Sequence, residues 1–249
     1  VGTHGALNVT TWFSGFDMTG QTNNTSLPMS YDALDATVYQ PATVTNPSRV
    51  RVAGLEDTQL TEAGFWEAGA GLLDPTAFTA LGGASQVVSV SNDGAESSVA
   101  YMFRARTFNY EAFAQLGELI PFQLTAQSAR GTGLSSVSSV RGRVLKTKAD
   151  VSATGATGTA FQLGATSATQ YLYGALHVFS AGTTITGVIE SDDNSDFTSA
   201  TTRITFSGIT AVGGTWGTRV AGALTDDWYR LRITACTGTF SIACTAGIR

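Results

Sequence analysis

Apolar and polar residues alternate along most of the chain with the period of a β-strand. Leu27, Met29, Tyr31 and Ala33 occupy every second position before Asp35, with Ser30 and Asp32 between them, so Leu27 to Asp35 predicts a half-buried strand. Thr37 to Ser48 holds Pro41 and Pro47, lacks helical spacing and is longer than a hairpin between neighbouring strands needs, which predicts a loop with a job. Val50, Val52 and Leu55 resume the extended pattern, Gly54 permits a bulge or turn, and Gly64-Phe65-Trp66 ends the segment as an expected core plug. Upstream, Leu7, Val9, Thr11 and Phe13 outline a first strand within Gly5 to Phe16, followed by a Gly-, Asn- and Thr-rich turn from Gly20 to Ser26. Leu72 to Gly83 reads as the one good helix, with Asp74 as cap, Pro75 at the first helical position, Gly82 as stop, and an apolar stripe of Ala77, Phe78 and Leu81.

Val88 and Val90, the turn Asn92-Asp93-Gly94, and Val99, Tyr101, Phe103 and Ala105 predict a hairpin, with Arg104 and Arg106 on its opposite face; another strand covers Ile120 to Ala126. Gln127 to Ser139 is small, polar and Gly-rich, the composition of a linker or surface loop. Beyond Val151, strands are expected at Thr159 to Leu163, Tyr171 to Phe179, Thr184 to Ser191, Thr202 to Phe206, Trp216 to Val220, Trp228 to Thr234 and Thr239 to Ala243. Such regular spacing is that of a sandwich or small barrel. The chain therefore reads as mostly β, a β-sandwich or barrel with a short flanking helix near 74–81. The expected domains are 1–130, a linker or loop at 131–150, and a second β domain at 151–249. Each half places a short helical or turn segment between strand groups (Asp74 to Leu81; Asp192 to Ala200), so two similar, duplicated β domains fit the pattern, as does an appended sandwich; no residue-by-residue repeat is visible.

Composition narrows the function. Charged residues make up 13% of the 249, against roughly a quarter in typical domains, so Ser, Thr, Gly, Asn and Gln must cover much of the surface, which suits burial against further copies of the chain. A net charge of -5 argues against gripping nucleic acid through phosphates, which needs a basic face, although it leaves DNA free to pass a weakly repelling wall. RGRVLKTK, Arg141 to Lys148, is a local basic run without an aromatic stacking platform and is assigned to subunit contacts or solvent. No basic segment precedes an apolar run at the start, and no stretch nears 18 apolar residues, so neither signal peptide nor membrane insertion is expected. Cys236 and Cys244 flank a turn near Gly238; two free thiols are expected if assembly occurs in cytoplasm, and a disulfide is the alternative.

Candidate chemistry is thin. His4 and His177 are far apart, and strand alternation puts His177 beside apolar neighbours, the setting of a hydrogen-bonded core histidine. No Gly-x-Ser-x-Gly elbow, phosphate loop or zinc spacing occurs, so no enzyme activity and no cofactor are expected. Asp192, Asn194 and Asp196 open like a calcium loop, but Phe197 and Arg203 stand where that loop needs Gly and Glu, so the reading is a capped Asp/Asn turn without a metal. Trp216, Trp228, Tyr171 and Tyr173 keep an alternative open: a secreted or surface carbohydrate-binding β-sandwich, with sugar rings stacked on those aromatics.

The order DALDAT, a loop, then SRVRVAGLEDTQLTEAGFWE, with LYGALHVFSAGTTITGVIESDDNSDF in the second half, resembles the major tail tube proteins of long-tailed, non-contractile bacteriophages. The pattern is an Asp-x-x-Asp-x-Thr strand end, a loop, an Arg-rich strand ending Gly-Leu-x-Asp, then a Gly-Phe-Trp strand. The resemblance implies a virion protein, assembled in the bacterial host cytoplasm, whose copies close into stacked rings, six of a one-domain subunit or three of a duplicated one, forming the conduit for DNA ejection. It implies as partners the chain itself, a tape measure protein, and tail terminator and baseplate proteins, with DNA passing the lumen without specific binding. The loop lies where such proteins reach the adjacent ring, so Val38, Tyr39, Gln40, Pro41, Thr43, Thr45, Asn46 and Pro47 are expected inter-ring contacts. Arg49, Arg51, Arg104, Arg106, Arg141 and Arg143 are expected at contacts between subunits.

Overall fold

Val-, Thr- and Ser-rich segments cut by Gly and Asx turns favour pleated, half-buried surfaces over helices, and the computed structural model is accordingly mostly β. It describes residues 8–37, 49–69, 71–113, 115, 118–129 and 137–249. In chain order the described elements are β1 (Thr10–Phe13), β2 (Phe16–Asp17), β3 (Thr22–Ser26), β4 (Met29–Asp35), β5 (Arg51–Phe65), α1 (Leu73–Ala80), β6 (Gln86–Ser91), β7 (Val99–Ala112) and β8 (Pro121–Ser128). They continue with β9 (Val140–Val151), β10 (Gly155–Gln162), β11 (Tyr171–Ser180), β12 (Thr184–Asp192), β13 (Thr201–Ile209), β14 (Gly213–Trp216), β15 (Val220–Ala221), β16 (Trp228–Thr237) and β17 (Phe240–Ile248).

The first half curls into a barrel. β1, β6, β7, β8, β5 and β3 follow one another by antiparallel pairing, and their inward residues, among them Phe13, Leu60, Val88, Phe103, Phe122 and Leu124, enclose a core with α1. Gly64 sits where β5 passes the turn before β3, so close that a Cβ there would overlap the carbonyl of Gln21. β7 is shared: its first residues pair with β9 and its later ones with β8. From β9 the same sheet runs on through β17, β11 and β14. One face of β9, β17 and β11 packs against the four-stranded sheet β10-β16-β12-β13 around Leu176, Ile242, Ile189, Phe206 and Leu231. The opposite face meets the barrel, where Tyr173 and Ala175 join Val87 and Met102, and Val144 and Ala243 join Trp12 and Ala100. Strand β6, and β7 at Met102 and Phe103, are thus buried on both faces, which their alternation alone does not predict. The stretch read as linker is, from Val140 on, the strand β9 at the centre of this arrangement, because Val140, Val144 and Leu145 carry enough apolar surface to be buried.

Cys244 lies in β17 and Cys236 in β16 of the smaller sheet, and both thiols are free; burial pushes the Cys244 thiol up.

Candidate assembly surface: the arm and the cleft at the two ends of β5

β5 is fifteen residues long, and only its second half belongs to the barrel. Its first half pairs with β4 alone, so that the two strands form an arm. Every residue of β4 is exposed, which corrects the half-buried strand expected at Leu27 to Asp35: the alternation is present, but no element among the described residues covers its apolar face. The register steps from Tyr31↔Glu56 to Ala33↔Ala53, so Asp32 faces both Gly54 and Leu55. That is a β-bulge at the glycine that permitted one, and it aims Leu55 outward at 80% exposure, beside exposed Leu34, Val50 and Val52. The base of the arm is held to the body by Arg249, which ion-pairs with Glu56 and donates to the Tyr31 hydroxyl at 2.9 Å. Beyond this base, hydrogen bonds among the described residues stay within the arm, such as Ala36 N to Val50 O and Val50 N to Thr37 Oγ1.

At the far end of β5, where Phe65 pairs with Pro121, α1 and the ends of β7 and β8 enclose a cleft of about 780 Å³. Phe78, Leu81, Tyr110, Ala112 and Phe113 line it over Phe122, and Asp74 and Glu111 supply its charge. Asp74 anchors the wall. Instead of capping the helix, which begins at Leu73 behind a Leu72 cap with no side-chain bond, its carboxylate accepts Trp66 Nε1 at 3.0 Å and the Tyr110 hydroxyl at 2.8 Å. Burial, reinforced by that carboxylate, pushes the Tyr110 phenol up. The expected stripe of Ala77, Phe78 and Leu81 is corrected as well. The buried face is Leu73, Ala77 and Ala80; Phe78, about 100° round the helix from Ala77, turns outward, and Leu81 has already left the helix. Trp66 packs on the barrel core, whereas Phe65 stays exposed, so the plug is the tryptophan alone.

The expected inter-ring residues Val38, Tyr39, Gln40, Pro41, Thr43, Thr45, Asn46 and Pro47 lie outside the described residues. Of the expected subunit-contact arginines, Arg49 and Arg51 are exposed on the arm, Arg106 on β7 and Arg141 on β9. Arg104 is half-buried, with an Nε that has no partner among the described residues. Arg143 is engaged by its own chain, donating to Ser97 O at 3.2 Å and lying 4.7 Å over the Phe161 ring. The basic run it belongs to is also tied down, by Lys146 to Glu96 at 3.4 Å and Lys148 to Asp17 at 2.8 Å.

His177 is fully buried between Trp12 and Phe179, its Nε2 2.9 Å from Ser89 Oγ, and burial pushes it down to about 3. This Ser–His pair is closed to any substrate. In the turn after β12, Asp192 accepts Asn194 N at 3.1 Å and Ser199 N at 2.7 Å, and no group of metal-ligating side chains is assembled among the described residues. Tyr173 packs with tilted rings against Tyr171 and Trp216 and is fully buried, and Arg219 lies 3.9 Å over the Tyr171 ring, so Tyr173 offers a sugar no open face and one face of Tyr171 is already taken. No helix among the described residues is long and apolar enough to cross a membrane.

No protein-family profile and no curated protein matches the chain. Among solved structures, it is similar to a component of the tail of an empty gene transfer agent particle with C6 symmetry (TM-score 0.40, 13% identity, 55% of this chain and 99% of that one). It is also similar to the SPP1 Dit protein of a phage hub adsorption apparatus (0.35, 8%, 97% and 99%) and to a component of the activated phage p2 baseplate (0.35, 10%, 97% and 98%). Overlaps this loose leave the functional argument to the chain's own surface.

Proposed function

We propose that the chain is a structural virion protein: a bacteriophage tail subunit that assembles with copies of itself into stacked rings, the tube through which DNA leaves the capsid. The observation that carries this reading is the arm. A two-stranded projection with Leu34, Val50, Val52 and Leu55 in the open is unfavourable for a solitary protein, because a free apolar strand edge invites pairing with another chain. Closure into a ring supplies the missing cover. The resemblance of DALDAT and SRVRVAGLEDTQLTEAGFWE to tail tube proteins supports the same reading, as does a net charge of -5, which disfavours a grip on phosphates. On this reading the residues that join β4 to β5, Val38 to Pro47, contact the adjacent ring, and Arg49, Arg51, Arg106 and Arg141 meet neighbouring subunits. The tape measure, terminator and baseplate proteins are its other partners, and residues 1–130 and 151–249 are a tube domain and a second β domain joined through β9.

Negative-stain electron microscopy of the purified protein over a concentration series tests it. Rings or hollow tubes with a regular axial repeat are expected, and end-on views choose between three and six copies. Deleting Gln40 to Asn46 should leave the subunit folded by circular dichroism and abolish stacking; tubes of normal length from that variant would remove the inter-ring role.

A further inference from the structure

We infer that Glu62 is a proton-controlled latch on an open seam of the barrel: while its carboxyl carries a proton, β3 is held across the gap to β1, and ionisation admits water to the seam and frees β3. The sheet does not close there. β1 pairs with β6 and β2, β3 pairs with β5, and among the described residues no ladder joins β1 or β2 to β3. The turn between them keeps one end shut, with Met18 N bonded to Thr11 O and Thr22 N to Met18 O. Above that turn a side chain crosses the gap. Glu62 is fully buried; one carboxyl oxygen lies 2.8 Å from the hydroxyl of its ladder neighbour Thr25, and the other lies 2.6 Å from the hydroxyl of Thr11 on the far side. A protonated carboxyl donates from one oxygen and accepts at the other, so both strands stay tied with no charge buried.

Outside this bond the seam is already parted. A polar cleft of about 610 Å³, lined by Thr10, Thr22, Asn24 and Asp93, and an apolar one of about 550 Å³, lined by Leu27, Met29, Val90 and Tyr101, share Val9 and Thr25, so solvent in either reaches the threonine that Glu62 holds. A carboxylate without a cation in an apolar interior is relieved most cheaply by hydration, and the route for water lies along these clefts. Burial pushes the Glu62 carboxyl up to about 7 from 4.5, which brings its ionisation into the neutral range. The inward side chains of β6, β7 and β8, among them Val90, Phe103 and Leu124, carry no charge to offset it. Charged and titratable groups on the surrounding elements have other places: Asp17 on β2 bonds Lys148, Asp74 on α1 bonds Trp66 and Tyr110, Asp93 lies at the polar cleft, and His177 sits behind β1 against Trp12. β3 runs through Leu27 and Pro28 into β4, so a freed β3 loosens the arm at its root.

Amide hydrogen exchange in dilute solution, corrected for the intrinsic rate at each pH, tests the latch through the β3 amides that bond β5. Because the carboxyl ionises near 7 when shut in and near 4.5 when hydrated, the opening equilibrium of β3 should be about 70-fold larger at pH 8 than at pH 5. It should also exceed that of the β16 amides and hold steady in low urea, as a local opening does. Glu62→Gln, which stays neutral, should keep β3 shut and lose the pH step; His177, whose dependence has the opposite sign, is common to parent and variant. If β3 and β16 exchange alike and respond alike to urea, the seam opens only with the whole fold and the latch is overturned. A local β3 opening with the same pH step in Glu62→Gln overturns it too. Where the variant's thermal midpoint at pH 5 departs from the parent's by more than about 3 °C, the parent alone decides, since a local β3 opening unchanged between pH 5 and 8 overturns the latch.

Discussion

Glu62 and His177 are buried titratable groups whose effects on stability oppose each other. Glu62, on β5, accepts Thr11 Oγ1 at 2.6 Å and Thr25 Oγ1 at 2.8 Å, which ties β1 and β3 to β5, and no cation pairs with it among the described residues. Burial therefore pushes its carboxyl up to about 7 from 4.5, against the pull of the two hydroxyls. Between pH 4.5 and 7 the unfolded chain ionises Glu62 and the folded chain does not, so this group costs stability as pH rises, at about 1.4 kcal/mol per unit. His177 has the reverse sign. With a folded value of about 3 against 6.5, it contributes stability above pH 6.5 that is lost as pH falls toward 3, at the same slope. From 6.5 down to 4.5 the two cancel and leave the parent nearly level. Glu62→Gln keeps the hydroxyl contacts and removes the charge. Urea titrations at pH 8, 6.5 and 4.5 should show the variant more stable than the parent by on the order of 3 kcal/mol at pH 8, with nearly all of that advantage gone by pH 4.5. The acid losses from Asp17, Glu56 and Asp226, whose carboxyls are held low by Lys148, Arg249, Ser191 and Arg203 against the opposing effect of burial, are common to both proteins and drop out of the difference. A constant difference across the three pH values would show that Glu62 is ionised in the fold.

At the scale of elements, α1 is short, and its seat depends on a residue outside its buried stripe. Removing the Asp74 carboxylate leaves the Trp66 indole and the Tyr110 hydroxyl without their acceptor in a half-buried wall. Asp74→Ala should cost about 1 to 3 kcal/mol by urea titration, and Asp74→Asn, which retains an acceptor oxygen, should recover most of it. Equal losses in the two variants would mean that the carboxylate's charge, rather than its hydrogen bonds, sets the wall. The strands themselves were largely legible, since a period of two between Gly and Asx turns is a local property: those expected at Tyr171 to Phe179, Thr184 to Ser191 and Trp228 to Thr234 fall within Tyr171–Ser180, Thr184–Asp192 and Trp228–Thr237, whereas the one expected at Trp216 to Val220 is the break between β14 and β15. What lies against each face was not. Tyr31 and Leu34 alternate as core residues do, yet face solvent, while Val87 and Ser89 carry a weaker pattern and are buried because β11 and β17 arrive from the other half. The cleft was illegible for a similar reason. Its walls are assembled by the pairing of β5 with β8 and of β8 with β7, and the available hints were exposed-side aromatics such as Phe78 and Phe113 within a stretch poor in cations.

For the whole molecule the question is whether the proposed division at 131–150 separates units that stand alone. β17, the last strand of the chain, lies between β11 and β9, and β9 hands the sheet on to β7, so the termini of the two halves share one set of backbone hydrogen bonds. The clusters on that junction draw on both sides: Trp12 and Ala100 with Val144 and Ala243, and Val87 and Met102 with Val140, Tyr173 and Ala175. Parting the halves would expose each of these fully buried side chains, and at about 1.5 to 3 kcal/mol for a large apolar residue the loss rivals the net stability of an ordinary domain. The halves should therefore melt together. Scanning calorimetry is expected to give one transition with equal calorimetric and van't Hoff enthalpies, and single-tryptophan variants reporting from Trp12 in the barrel and Trp228 in the smaller sheet should share its midpoint. Two separated transitions would mean that the junction contributes little and that the barrel, with its arm and cleft, can be studied as a domain in its own right. A single transition carries the opposite consequence for assembly: a load placed on the arm in a ring is borne by the entire subunit, because the strand that carries the arm continues into a core that cannot yield without the rest.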